Sequence, residues 1–174
     1  MGQHDRDRFS PAPALPLHLD LIGGELRSRL VDRILRDTEF QHRFGHEDEL
    51  TQRSWGQRVV DQTLGFLQLC ASSEMESYSP SHLVDIGWHI FILHTREYAA
   101  FCARVAGRFI HHEPAAEGVD PYRGVAEIGR TVAAMRVRGL AVDEALWPTS
   151  VTTGVHAPKC HNKGCASGCG SAMD

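Results

Sequence analysis

Pro80-Ser81-His82-Leu83-Val84-Asp85-Ile86-Gly87-Trp88-His89-Ile90-Phe91-Ile92-Leu93-His94-Thr95-Arg96-Glu97-Tyr98 is the stretch on which the fold turns. Successive residues of an α-helix lie about 100° apart, so with Asp85 at zero, Val84, Phe91, Tyr98 and Cys102 fall between about 220° and 260°. Trp88 sits beside them at about 300°, while Ile86, Ile90 and Leu93 occupy the other side between about 80° and 140°. A helix that is apolar most of the way round is buried. The spacing therefore predicts one long helix over Pro80–Ala106, with Ser79 as its cap, Pro80 in its first turn and Gly107 as its terminator.

One narrow stripe of that helix is polar, with Asp85 at zero, Arg96 at about 20° and His89 at about 40°. Buried charges and polar groups are costly unless they satisfy one another or a ligand. Two readings follow. In one, His89 is a metal ligand or proton-transfer group oriented by Asp85, with Arg96 and Tyr98 placed to contact substrate. In the other, Asp85, His89 and Arg96 form an internal network that joins helices. His94 lies about 140° from His89, so the two cannot chelate from one face as the histidines of an H-E-x-x-H motif do. His111 and His112 follow Gly107 and precede Pro114, where the chain turns back, and one of them can approach the Asp85/His89 stripe. A solvent-exposed pair before a turn is the other reading of these two histidines.

Outward from this stretch, Leu26, Leu30, Val31, Ile34 and Leu35 recur at helical spacing within Glu25–Asp37, opposite Arg27, Arg29, Arg33 and Arg36. A second amphipathic helix is predicted over Asp48–Ala71 and a fourth over Pro121–Val137, with a helical turn at Asp143–Leu146. The fold class is thus all-α, a small bundle of about four main helices. Residues 1–22 form an N-terminal tail, 23–148 the helical domain and 149–174 a C-terminal tail rich in Cys and Gly, read as loop or disorder unless something ties it down. At 174 residues the chain suits one domain that needs no disulfide staples. A formal net charge of −4 offers no attraction for nucleic acid or an anionic membrane. No run approaches the roughly 18 apolar residues of a membrane span. Met1 to Ser10 has no apolar segment behind it that could serve as a secretion signal, which predicts a cytoplasmic protein. Five cysteines, an odd number, then point to free or metal-bound thiols.

The segment Val84-Asp85-Ile86-Gly87-Trp88-His89, continued by Tyr98, Phe101-Cys102, Gly107, Phe109 and His111-His112-Glu113-Pro114, resembles the glycine-rich domain-containing protein family. That family has an Asp-x-x-Trp-His core, a downstream Tyr and Cys, and a Gly followed by a His-bearing turn. Its members often end in a Gly-rich tail with scattered cysteines, of which Lys163 to Gly170 is a short version. Where relatives carry a second His two residues after the Trp-His pair, this chain has Phe91. The resemblance implies where a site lies and supplies no reaction.

Cys160, Cys165 and Cys169 crowd the tail beside His161 and His156. Thiolates and imidazoles suit zinc or another soft ion, and the glycines let a short loop wrap around it. A reduced, flexible tail is the other reading, and a third folds the tail back so that its thiols complete the central site. The expected function is metal binding, through zinc or non-haem iron held by His89, His111 and His112 with Asp85 beside them. A metalloenzyme acting on a small-molecule or peptide substrate is its extension, with Asp85, Arg96 and Tyr98 as catalytic candidates. The alternatives are a non-catalytic interaction module and a metal-handling protein that uses the Cys tail. The chain has no nucleophile elbow, phosphate loop or dinucleotide fingerprint.

Overall fold

Asp48 accepts hydrogen bonds from the amide and hydroxyl of Thr51 at 3.0 and 2.7 Å, and so caps the longest helix among the described residues, α3 (Glu49–Ala71). From Val59 to Cys70 nearly every residue of α3 is buried, Gln62, Thr63 and Gln68 included. The computed structural model describes residues 21–73, 75–113, 121–147 and 159–161. Within them α1 (Gly24–Ile34), α4 (His82–Leu93), α5 (Thr95–Ala106) and α6 (Pro121–Val137) all pack on α3. A short helix, α2 (Thr38–Phe44), links α1 to α3, and two three-residue strands, β1 (His111–Glu113) and β2 (Lys159–His161), complete the order. The chain is a mostly helical small bundle, with six helices among the described residues where about four were expected.

The two extra helices have separate causes. Asp37 accepts from the amides of Glu39 and Phe40 at 3.0 and 3.1 Å, which caps α2 and directs Phe40 and Phe44 into the core. The helix expected over Pro80–Ala106 is divided at His94, whose φ of −85° and ψ of 62° leave the helical region. There the His94 amide bonds the carbonyl of Phe91, one residue short of the α-helical partner. The first of the two helices also starts later than expected, capped by Ser81, which accepts from the amide of Val84 at 3.4 Å.

Helix α4 comes close against α3 at Gly87. A β-carbon there would lie 2.2 Å from the Thr63 hydroxyl oxygen and 3.0 Å from a Val59 methyl. The same helix buries Trp88 against Phe66, with ring centroids 5.4 Å apart and planes at 61°. Leu21 and Ile22, the end of the expected tail, are buried, and the Leu21 carbonyl accepts from Arg104. At the other end Leu146 and Trp147 are buried, and the Trp147 indole donates to Gln62 at 2.7 Å. The strands pair antiparallel, with His111 opposite His161, His112 opposite Cys160 and Glu113 opposite Lys159. Part of the expected C-terminal tail is therefore tied to the body. Among the described residues no helix is long and apolar enough to cross a membrane.

Candidate metal centre

Two elements build the site. Asp85 and His89 lie one turn apart on α4, and the His89 Nδ1 is 3.2 Å from the Asp85 carboxylate and 3.0 Å from the Asp85 carbonyl. The second element arrives through a turn. Gly107, at φ 66°, ends α5 in the left-handed conformation, and the chain reverses through Phe109 and Ile110 into β1. Ile110 is fully buried, and its carbonyl accepts from the Tyr98 hydroxyl at 2.7 Å. That hydroxyl in turn accepts from the Trp88 indole at 2.9 Å. The relay from Trp88 through Tyr98 to Ile110 anchors the strand against α4. It delivers His112, whose Nε2 is 2.8 Å from the Asp85 carboxylate.

The result is a cluster of Asp85, His89 and His112 whose ligand atoms all lie within 4.8 Å of one another. The His112 ring lies 4.2 Å from that of His89 and 4.4 Å from that of Trp88. Side-chain exposure runs from 9% at His112 and 14% at Asp85 to 58% at His89. The cluster thus has a dry floor and one open side.

Burial pushes the Asp85 carboxyl up, but the hydrogen bonds from His112 and His89 and their charge outweigh it, so the group sits below its ordinary range. At neutral pH it is a carboxylate with both imidazoles as partners. The bond to Asp85 raises the His89 imidazole above its ordinary value, against a smaller opposing effect of burial. Burial raises the Tyr98 phenol far above its usual range, so it remains a neutral hydroxyl.

Of the residues singled out in the sequence, Asp85, His89 and His112 come together. His111 does not join them, because consecutive residues of a strand face opposite ways, and its ring instead lies 5.0 Å from Phe109. Arg96 is exposed on α5 and pairs with no carboxylate among the described residues, so the expected Asp85–His89–Arg96 stripe is broken. The divided helix accounts for this, since a count of 100° per residue does not carry across His94. Tyr98 is fully buried with its hydroxyl bonded on both sides, within the relay and away from the open face of the cluster. His94 forms the junction of α4 and α5. Cys160 stands in β2 opposite His112, while His156, Cys165 and Cys169 lie outside the described residues. The sequence reading missed Trp88 as a wall of the site. Its angle next to the polar stripe was the signal.

The family model described as UCP032817-like matches residues 27–126, more than half of the chain, and the chain belongs to that family. This corrects the resemblance to the glycine-rich domain-containing proteins. The matched span includes the segment that suggested the resemblance together with the helices around it. Asp85, His89 and His112 all fall inside it and the tail cysteines fall outside. No curated protein and no solved structure matches the chain.

Proposed function

We propose that this member of the UCP032817-like family binds a first-row transition ion, zinc or iron, between the Asp85 carboxylate and the imidazoles of His89 and His112. The observation that carries this reading is the convergence of three ligand atoms within 4.8 Å, two of them on largely buried side chains. Ligands at about 2.0 Å from a tetrahedral ion stand about 3.3 Å apart. The Asp85 carboxylate reaches both imidazoles, with one oxygen 2.8 Å from His112 and the other 3.2 Å from His89. Two histidines and one carboxylate form the donor set of catalytic zinc sites and of non-haem iron centres. The open side at His89 gives an ion a way in, and a vacant coordination position would permit hydrolytic or oxidative chemistry on a small molecule or peptide.

A second reading also has an observation behind it. The His112–Asp85 bond of 2.8 Å satisfies both groups and ties β1 to α4 without an ion. Unfolding with and without metal separates the two, because an ion that binds only the folded state stabilises it by about 2.7 kcal/mol at a hundredfold excess over Kd. Protein purified without added metal is expected to carry close to one zinc or iron per chain by elemental analysis. Adding that ion back to stripped protein raises the unfolding midpoint, and His89→Ala, His112→Ala and Asp85→Asn abolish the rise while His94→Ala keeps it. No metal after reconstitution, or a rise that survives all three substitutions, overturns the proposal in favour of a structural Asp–His network.

A further inference from the structure

Between the end of α1 and the junction of α4 with α5 runs a groove of about 400 Å³, lined by Arg33, Arg36, Ile90, Leu93 and His94. The chain tightens as α1 ends. There the Arg36 amide bonds the Arg33 carbonyl at 3.1 Å, and residues three apart in such a turn stand one above the other. Arg29 and Asp32 also border the groove, but each is engaged, Arg29 with Glu97 and Asp32 with Arg53, both at 2.9 Å. Arg33 and Arg36 pair with no carboxylate among the described residues. On a chain of formal net charge −4 they form a local excess of positive charge. Guanidinium forks match the paired oxygens of a carboxylate or phosphate, and the His94 ring offers an N–H donor in either tautomer. Ile90 is buried and Leu93 is 68% exposed, so an apolar wall stands beside the charges.

We propose that this groove binds a small organic anion, its carboxylate or phosphate held by Arg33 and Arg36 and its apolar part laid on Ile90 and Leu93. A space of this size suits a small molecule. The binding stands apart from the metal centre, since none of these residues belongs to the Asp85/His89/His112 cluster. Position on α4 brings the two together. Leu93 lies four residues beyond His89 on the same side of the helix, about 6 Å along its axis. His89 is the exposed member of the cluster, so the groove adjoins its open side. This last step rests on the metal-binding reading: the anionic group is then the handle by which a substrate is held within reach of the ion.

Phenyl phosphate and benzoate, titrated into the full-length protein in phosphate-free, low-salt buffer and followed by their proton NMR signals, are the probes, with benzyl alcohol as the neutral control. At least one of the anions is expected to bind, and benzyl alcohol to bind far more weakly. Arg33→Gln/Arg36→Gln should weaken anion binding roughly tenfold or more through the loss of charge-assisted hydrogen bonds. Arg96→Gln, outside the groove, should leave it unchanged. Both groove arginines are exposed, so the double variant should keep its unfolding midpoint and its response to added zinc. His89→Ala should do the reverse, keeping the anion and losing the response to zinc, so the groove and the metal centre fail separately. Binding of neither anion, or binding that survives Arg33→Gln/Arg36→Gln, overturns the groove. Sedimentation with phosphatidylglycerol vesicles in place of phenyl phosphate binding assigns the arginines to a membrane surface and overturns it too. Cobalt(II) tests the link to the metal centre, because a paramagnetic ion broadens the signals of nuclei close to it. The bound anion should broaden when cobalt is added. An anion that stays sharp, or a protein that takes up no cobalt, overturns that link and leaves the groove to stand on the titrations.

Discussion

Gly87 is where one atom decides the distance between two helices. Its missing β-carbon lets α4 approach the hydroxyl of Thr63, which lies 2.8 Å from the Val59 carbonyl and 3.2 Å from that of Val84. Thr63 is a buried polar residue on a helix packed on several sides, so it cannot swing into solvent to make room. Gly87→Ala is therefore expected to destabilise the fold by about 1–3 kcal/mol, the usual cost of overpacking a filled core. Denaturant unfolding measures it. Thr63→Ser, which keeps the hydroxyl, should rescue little of the loss, whereas Thr63→Ala should recover part of it. At this scale the sequence was informative about chemistry and silent about space. Asp85 and His89 are legible from spacing alone, because one helical turn separates them. The need for glycine at position 87 depends on Thr63, a partner that no local pattern names.

Among the elements, amphipathic pattern and caps locate most of the helices. The helices read over Asp48–Ala71 and Pro121–Val137 appear as Glu49–Ala71 and Pro121–Val137. The break at His94 leaves no comparable mark, since apolar residues continue through Ile90, Phe91, Tyr98 and Phe101 without glycine or proline, and no side chain caps α5. Packing on both sides of the junction sets it, and that information is tertiary. The turn at the far end of α5 is local. Gly107 holds φ 66°, a conformation that costs a residue with a β-carbon about 1–2 kcal/mol. Gly107→Ala should lower stability by about 1 kcal/mol, and because β1 hangs from this turn, it should weaken the proposed binding of zinc as well. Isothermal titration beside thermal unfolding checks both. Unchanged zinc affinity in a destabilised variant would mean that the Trp88–Tyr98–Ile110 relay places His112 without help from the turn.

At the scale of the whole molecule, the segment after α6 is closed onto the body by α3. Arg58 grips Asp143 with two hydrogen bonds, at 2.5 and 2.7 Å, and stacks on Trp55 with its guanidinium 3.7 Å from the ring centroid. Gln62 accepts from the Asp143 amide at 3.1 Å and donates to the Ala141 carbonyl at 3.2 Å. The hydrogen bond from Arg58 holds the Asp143 carboxyl below its ordinary value. A depressed carboxylate gives its full stabilisation above the unfolded value of about 3.9, and loses it as pH falls through the lower folded value. The urea midpoint should therefore decline below about pH 4. In Asp143→Asn, which has no carboxyl there to protonate, the decline should be shallower and the midpoint at neutral pH lower. Equal acid sensitivity in both proteins would place the titrating groups elsewhere. Leu146 is legible as the end of the hydrophobic pattern, but the Arg58–Asp143 clasp joins residues too far apart in sequence for any periodicity to reveal.

The anchoring of Trp147 also sets the order in which the site can assemble. In an unfolded chain, pairing β1 with β2 means closing a loop of roughly 45 residues, and loop entropy rises with the logarithm of length. Once Trp147 is seated beside Gln62, the loop left to close is roughly 11 residues long, which lowers the entropic cost by about 1 kcal/mol. A two-stranded ribbon is marginal in isolation, so the pairing gains its support only after the helices stand beneath it. Loop closure therefore predicts that the body forms first and the ribbon last. His112 meets Asp85 when the turn after α5 has formed, and β2 adds itself to β1 at the end, so an ion bound as proposed would act as a latch on a finished fold rather than as a seed for it.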